Sequence, residues 1–246
     1  MSDTTDEPSG FAAYAERIRA NRELEPPPER VQARRLAAAM RDVIEHLVAT
    51  KAPADVLEAA AAKLEAVVAS LDGFPRGHTF AGFADGSFAE ASNSGDTRAF
   101  FDSSPIMGLA NPLAPPLQLQ AVDGKVVGTA RYGTAYEGPP GCVHGGFIAA
   151  AFDEVLGMAQ SLGGRPGMTG TLTIRYRRPT PLYADLQFEA GLERVEGRKI
   201  FTSGRLLHEG EVTAEAEAVF ISVDFTKMVE LARQRDETPS EVPGGS

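Results

Sequence analysis

The stretch Pro139-Pro-Gly-Cys-Val-His-Gly-Gly-Phe-Ile-Ala-Ala-Ala-Phe-Asp-Glu-Val-Leu-Gly157 is the one segment of helical pattern lying between two groups of strands. Ile148, Ala151, Phe152, Val155, Leu156 and Ala159 recur on one stripe, the spacing of a helix packed on a sheet. At about 100° per residue, the opposite face carries Gly146, Ala150, Asp153 and Gly157, with Glu154 towards one edge. Asp153 therefore sits among residues with almost no side chain, where a ligand or another chain can approach the backbone. A carboxylate facing such a contact is costly unless it is hydrogen-bonded or used. The same spacing also suits a plain solvated face, since carboxylates are mostly exposed.

His144-Gly145-Gly146 opens this helix. The first N–H groups of a helix are unpaired and carry the positive end of its dipole, so glycines there let a carbonyl oxygen come within hydrogen-bond distance. An oxyanion-type site is one reading, and a tight turn capped by the histidine is the other. Cys142, two residues before His144, invites a Cys–His pair, but neighbours in sequence rarely adopt that geometry.

Strands flank the helix on both sides. Residues 117–121 alternate with period two and meet Asp123-Gly124, a hairpin turn, before a second strand from Val126. Further strands are expected over 171–177, 186–195, 199–207 and 212–223, with Glu196-Gly197 and Glu209-Gly210 at tight turns. Two strands, one helix and four strands make an α+β arrangement, one helix against a largely antiparallel sheet.

The N-terminal half reads differently. Residues 1–29 end in Pro26-Pro-Pro28 and are expected to form a mobile arm. Leu36, Met40, Val43, Ile44 and Leu47, then Leu57, Ala61, Leu64, Val68 and Leu71, repeat at helical spacing. Pro53 divides them, which predicts a helical hairpin over 30–73 that caps the sheet domain or adds a second interface. Residues 74–116 lack a period and are rich in Gly, Pro, Ser and Phe. Phe80, Phe83, Phe88, Phe100 and Phe101 suit a segment wrapped on something apolar. The sheet domain spans 117–225, and 226–246 form a tail.

The chain has 246 residues, a formal charge of −10 and one cysteine. One cysteine excludes an intramolecular disulfide and a four-cysteine zinc site, and four histidines leave little for a metal centre. No cofactor and no metal are expected. The acidic start and the lack of about 20 consecutive apolar residues predict a cytoplasmic protein without a membrane span. The negative total argues against nucleic acid. It hides a net +4 over 165–205 and a net −6 from 206 onward. Arg177, Arg178, Arg198 and Lys199 lie in or beside that basic stretch and are candidates for contacts to a small anionic ligand.

Three motifs in order, His144-Gly-Gly-Phe-Ile-Ala with Asp153, Met168-Thr-Gly-Thr-Leu-Thr-Ile-Arg-Tyr-Arg-Arg-Pro179 and Val195-Glu-Gly-Arg-Lys-Ile-Phe201, resemble the PaaI-like hotdog-fold acyl-CoA thioesterases. The likeness is closest to the animal long-chain type also described as carboxyl-terminal modulator proteins. The resemblance covers about residues 117–224 and implies a hotdog fold, sheets joined between subunits, and a homodimer or dimer of dimers with active sites at the interface. It implies that Asp153 attacks an acyl-CoA thioester or activates water, that Thr169 positions the attack, and that Gly145 and Gly146 bind the oxyanion with His144 orienting the loop. Glu154 is the rival carboxylate, but only Asp153 shares the glycine face. A hotdog enoyl-CoA hydratase is an alternative, though the usual Asp-then-His run is absent from this helix. A non-catalytic acyl-CoA-binding or oligomerisation module is another.

Overall fold

The computed structural model describes residues 26–74, 102–162 and 167–222. Two N-terminal helices, α1 (Pro28–Ala49) and α2 (Ala54–Leu71), precede strands β1 (Leu117–Val122) and β2 (Lys125–Ala130). A 3-10 turn (Thr134–Tyr136), helix α3 (Gly145–Ser161) and strands β3 (Gly167–Tyr176), β4 (Leu186–Glu196), β5 (Lys199–His208) and β6 (Glu211–Ser222) follow. All six strands form one sheet of order β1-β2-β4-β5-β6-β3 with antiparallel pairing throughout. This is the expected α+β hotdog architecture.

Helix α3 buries Ile148, Ala151, Phe152, Val155, Leu156 and Ala159, the stripe read from the sequence, together with Gln160. The sheet receives it on small residues. Ala214, Ala216 and Ala218 alternate inward along β6, and a Cβ on Gly204 of β5 would stand 3.2 Å from the Leu156 side chain. Phe188 meets Phe152 edge to face at 5.4 Å. Such close packing fixes the helix, and with it the side chains of its other face.

The turns differ in one detail. Asp123-Gly124 and Glu209-Gly210 both have positive φ at both residues, the pattern of a type I′ hairpin. Between β4 and β5 the loop residues are Gly197 and Arg198, with positive φ at the glycine alone, so that turn lies one residue later than expected. Strand β3 begins four residues before the expected start, because a bulge between Thr169 and Thr171 absorbs Gly170 and lets pairing to β6 continue to Gly167.

Both N-terminal helices form, yet among the described residues they share no core. No residue of α2 is buried, and Leu36, Met40, Val43, Ile44 and Leu47 of α1 are all exposed. The side of α1 turned to the protein carries Arg30, Arg34, Ala37, Arg41 and Glu45. Arg34 bonds Asp102 at 2.8 Å, and Arg41 bonds the carbonyl oxygens of Leu109 (3.3 Å) and Asn111 (2.8 Å). Polar bonds, not the apolar stripe, hold this helix. Residues 102–116 place Asp102, Met107 and Ala114 in buried positions. Of the expected mobile arm over 1–29, residues 1–25 lie outside the described residues, as do the phenylalanines from Phe80 to Phe101 and the tail 226–246, while Pro28 and Glu29 already belong to α1.

Candidate active site

The loop entering α3 is tightly bonded. His144 N–H donates to the Tyr136 carbonyl (2.9 Å) and Val143 N–H to that of Thr180 (2.8 Å). Gly138 N–H donates to the Cys142 carbonyl (2.9 Å), Cys142 N–H donates to that of Pro139 (2.9 Å), and Gly141 takes a φ of +74°. A Cβ on Gly138 would lie 2.8 Å from the His144 Cα, so only glycine lets the strands of this loop close together.

His144 is the N-cap of α3, and its Nδ1 accepts from Gly146 N–H at 3.0 Å. An accepting Nδ1 places the neutral ring's proton on Nε2. The expectation of two glycine donors is corrected by this bond: Gly146 N–H serves the cap, and Gly145 N–H has no acceptor among the described residues. Tyr176, at the end of β3, donates its hydroxyl to the Gly145 carbonyl at 2.8 Å. Burial pushes that phenol's pKa up, which keeps it a donor. Nothing local in the sequence marks Tyr176, which has the ordinary look of a strand-end aromatic. Cys142 is half-buried, and its Sγ faces the Pro140 carbonyl at 3.6 Å instead of the imidazole.

One turn pair further along the helix, Asp153 is exposed and accepts from the Thr169 hydroxyl at 2.8 Å through Oδ1. Thr169 stands at the bulge of β3, which sets this meeting. Oδ2 is left for a further partner. Glu154 turns the other way. It is largely buried and accepts from Ser104 at 3.2 Å, so residues 102–111 are tied to the back of the helix that carries Asp153.

Burial raises the pKa of Glu154, with Asp153 adding to the rise and the Ser104 bond opposing it. The folded state therefore binds more protons between the unfolded and folded values, and stability falls as pH rises through that interval. Glu154→Gln keeps an acceptor for Ser104 without the buried charge. Thermal unfolding at pH 7 should show a Tm higher by about 2–4 °C, as for a gain of ~1 kcal/mol, and no gain at a pH where Glu154 is protonated. A lower Tm at pH 7 contradicts this account.

The basic candidates fall into two groups at opposite ends of the sheet. Arg177 and Arg178 follow Tyr176, beside the Gly145 end, and pair with Glu215 (2.7 Å) and Glu211 (2.5 Å). Arg198 and Lys199 lie in register with the other end of β6, where Arg198 bonds the Ser222 carbonyl. That is the end of β3 where Thr169 meets Asp153. Among the described residues, no group of three or more His, Cys, Asp or Glu is placed to hold a metal ion. No helix there is long and apolar enough to cross a membrane.

A helix wrapped by an antiparallel sheet, with a carboxylate and a glycine N-terminus on its outer face, defines a hotdog thioesterase domain. Residues 140–215 match the model of the Thioesterase superfamily. A solved structure titled thioesterase superfamily protein RHA08564 is 34% identical with a TM-score of 0.65, covering 77% of this chain and 90% of its own. The chain belongs to the thioesterase superfamily. Mus musculus acyl-coenzyme A thioesterase THEM4 is 35% identical over 108 residues, which are 43% of this chain and 46% of the relative. Homo sapiens acyl-coenzyme A thioesterase THEM5 is 28% identical over 139 residues, 56% of each. The chain thus spans about half the length of these curated relatives.

Proposed function

We propose that this protein hydrolyses acyl-CoA thioesters, with Asp153 as general base for water and Gly145 N–H as the oxyanion donor. Water attacks the thioester carbon and gives its proton to Asp153, the C–S bond breaks, and the CoA sulfur leaves as thiolate, later reprotonated. Thr169 fixes one carboxylate oxygen and leaves the other for the water. The donor at Gly145 acts where charge develops, a contribution worth about 3 kcal/mol for one donor in other enzymes.

The observation that carries the reading is a separation. Asp153 and Gly145 are eight residues apart on one helix, about 12 Å at 1.5 Å per residue, so no single thioester carbon reaches both within one chain. Strand β3 supplies the remedy. It is an edge strand of ten residues, mostly exposed, with its outer backbone side unpaired among the described residues. Such an edge is a ready template for a second chain. Antiparallel pairing of β3 with its copy about a two-fold axis sets the Thr169 end of one against the Tyr176 end of the other. Asp153 of one subunit then faces the partner's Gly145. This is a homodimer with two composite sites, and Arg198 and Lys199 of one subunit lie near the partner's Arg177 and Arg178, where CoA phosphates would bind. Glu215 and Glu211 yield those arginines to the ligand. The lone cysteine fits a reducing, cytoplasmic setting.

Purified protein incubated with acyl-CoAs from short to long chain and with aryl-CoAs, in the presence of a thiol reagent, tests the activity. Steady release of CoA thiol from at least one class is expected. Release at background for all of them overturns the proposal.

A further inference from the structure

We propose that helix α1 braces the active-site loop, and that Glu45 is its positioning residue, acting through the turn Thr134–Tyr136 on His144 and Gly145. The kinetic consequence rests on the thioesterase reading, while the structural one stands apart from it. Glu45 Oε1 accepts from Thr134 N–H at 2.7 Å and from the Tyr183 hydroxyl at 2.8 Å. Its Oε2 accepts from Ala135 N–H at 2.9 Å. The turn has no side-chain cap of its own, so a carboxylate about 90 residues away in sequence caps it. The fit is specific: a Cβ on Gly133 would stand 2.4–2.7 Å from the Glu45 carboxylate. Burial raises the Glu45 pKa, but the bonds to Ala135, Tyr183 and Thr134 outweigh it and the net shift is downward, which holds the carboxylate charged.

The turn passes this placement on. The carbonyl of Tyr136, its last residue, accepts from His144 N–H, and its ring meets Phe147 edge to face at 4.8 Å. His144 in turn caps Gly146. A chain of short bonds therefore runs from α1 to the first turn of α3, where Gly145 presents its N–H. Arg34 and Arg41 fasten the same helix to Asp102, Leu109 and Asn111, so loss of the Glu45 bonds leaves α1 attached. Position is what Glu45 adds, and small misplacement of a transition-state donor is felt in rate more than in binding.

The test is Glu45→Gln in the full chain, since the amide has one acceptor oxygen and sets an NH2 against a backbone donor. Two readouts are taken: hydrogen exchange of peptides over 134–147 and over 186–208, and kcat and KM on the best acyl-CoA. Exchange over 134–147 should accelerate about tenfold with 186–208 unchanged, and kcat should fall about tenfold with KM within about twofold. Tyr183→Phe, which removes a hydroxyl bonded both to Glu45 and to Thr134 of the turn, should give the same pattern at about two- to threefold. Unchanged exchange over 134–147, equal acceleration in both regions, or wild-type kcat overturns the brace. If Glu45→Gln does not fold, Glu45→Asp, whose shorter side chain withdraws the carboxylate from the turn, decides by the same criteria. If the wild-type protein hydrolyses no acyl-CoA, the thioesterase proposal falls, and the exchange measurement still decides this one.

Discussion

Asp153→Asn should lower kcat on a competent acyl-CoA by about 10³-fold and leave KM within a few-fold, the size of loss expected when a general base is removed. Asparagine keeps an oxygen for the Thr169 hydroxyl, so the 2.8 Å bond that orients the side chain survives and the substitution removes only basicity. Because Asp153 is exposed and is not one of the buried residues of α3, melting temperature should stay near that of the parent. Thr169→Val should cost less, on the order of tenfold, since the carboxylate remains and only its orientation loosens. The order of the two effects matters. An Asp153→Asn enzyme within tenfold of the parent, or a Thr169→Val defect larger than the Asp153→Asn one, would sink the assignment of Asp153 as base.

The parts of the fold that were legible in the sequence share one property: a local period encodes them. The α3 stripe and the Asp123-Gly124 and Glu209-Gly210 hairpins depend on residues within a turn or two, and the structure places them as read. Helix α1 shows where that logic fails. Its apolar stripe, Leu36 to Leu47, belongs to a hairpin expected to cap the sheet domain or add a second interface, and it is Arg34, Arg41 and Glu45 that face the protein. Periodicity says which residues share a face, and it does not say which face docks. Here specific bonds to Asp102, Leu109, Thr134 and Ala135 decide it, and their partners are 68 to 90 positions away.

The candidate site divides along the same line. Asp153 stood out because it lies among glycine and alanine on a helix face, a local fact. Its bond to Thr169 depends on the β3 bulge, and Tyr176 on the Gly145 carbonyl depends on how β3 runs past the helix. The cap taken by His144 Nδ1 is one of the two readings, and because it uses Gly146 and leaves the Gly145 N–H it is compatible with the proposed oxyanion role. Sequence proximity had grouped all four basic candidates. The register separates Arg177 and Arg178 from Arg198 and Lys199 by the length of β3, and the proposed antiparallel dimer would bring them back together.

A mixture of two dead enzymes should regain activity. Asp153→Asn and Gly145→Val are each expected to be nearly inactive, the first for want of a base and the second because a side chain shields the donor N–H and meets the Tyr176 ring, 3.3 Å from where a Cβ would lie. In a mixed dimer of the antiparallel β3 type, the intact Asp153 of one subunit faces the intact Gly145 of the other, so one site of two is whole. Random exchange makes about half the dimers mixed, and the mixture should recover about a quarter of wild-type kcat. A site built within one chain recovers nothing, because every chain carries one lesion. Breaking the edge gives the complementary result. Lys at the exposed Thr173 puts like charges face to face across a two-fold axis near the strand's middle and spares the core. Thr173→Lys should yield monomers with wild-type helix content and kcat at least 10²-fold lower. Full activity in a monomer would place Asp153 and its oxyanion donor in one chain, against the 12 Å that separates them.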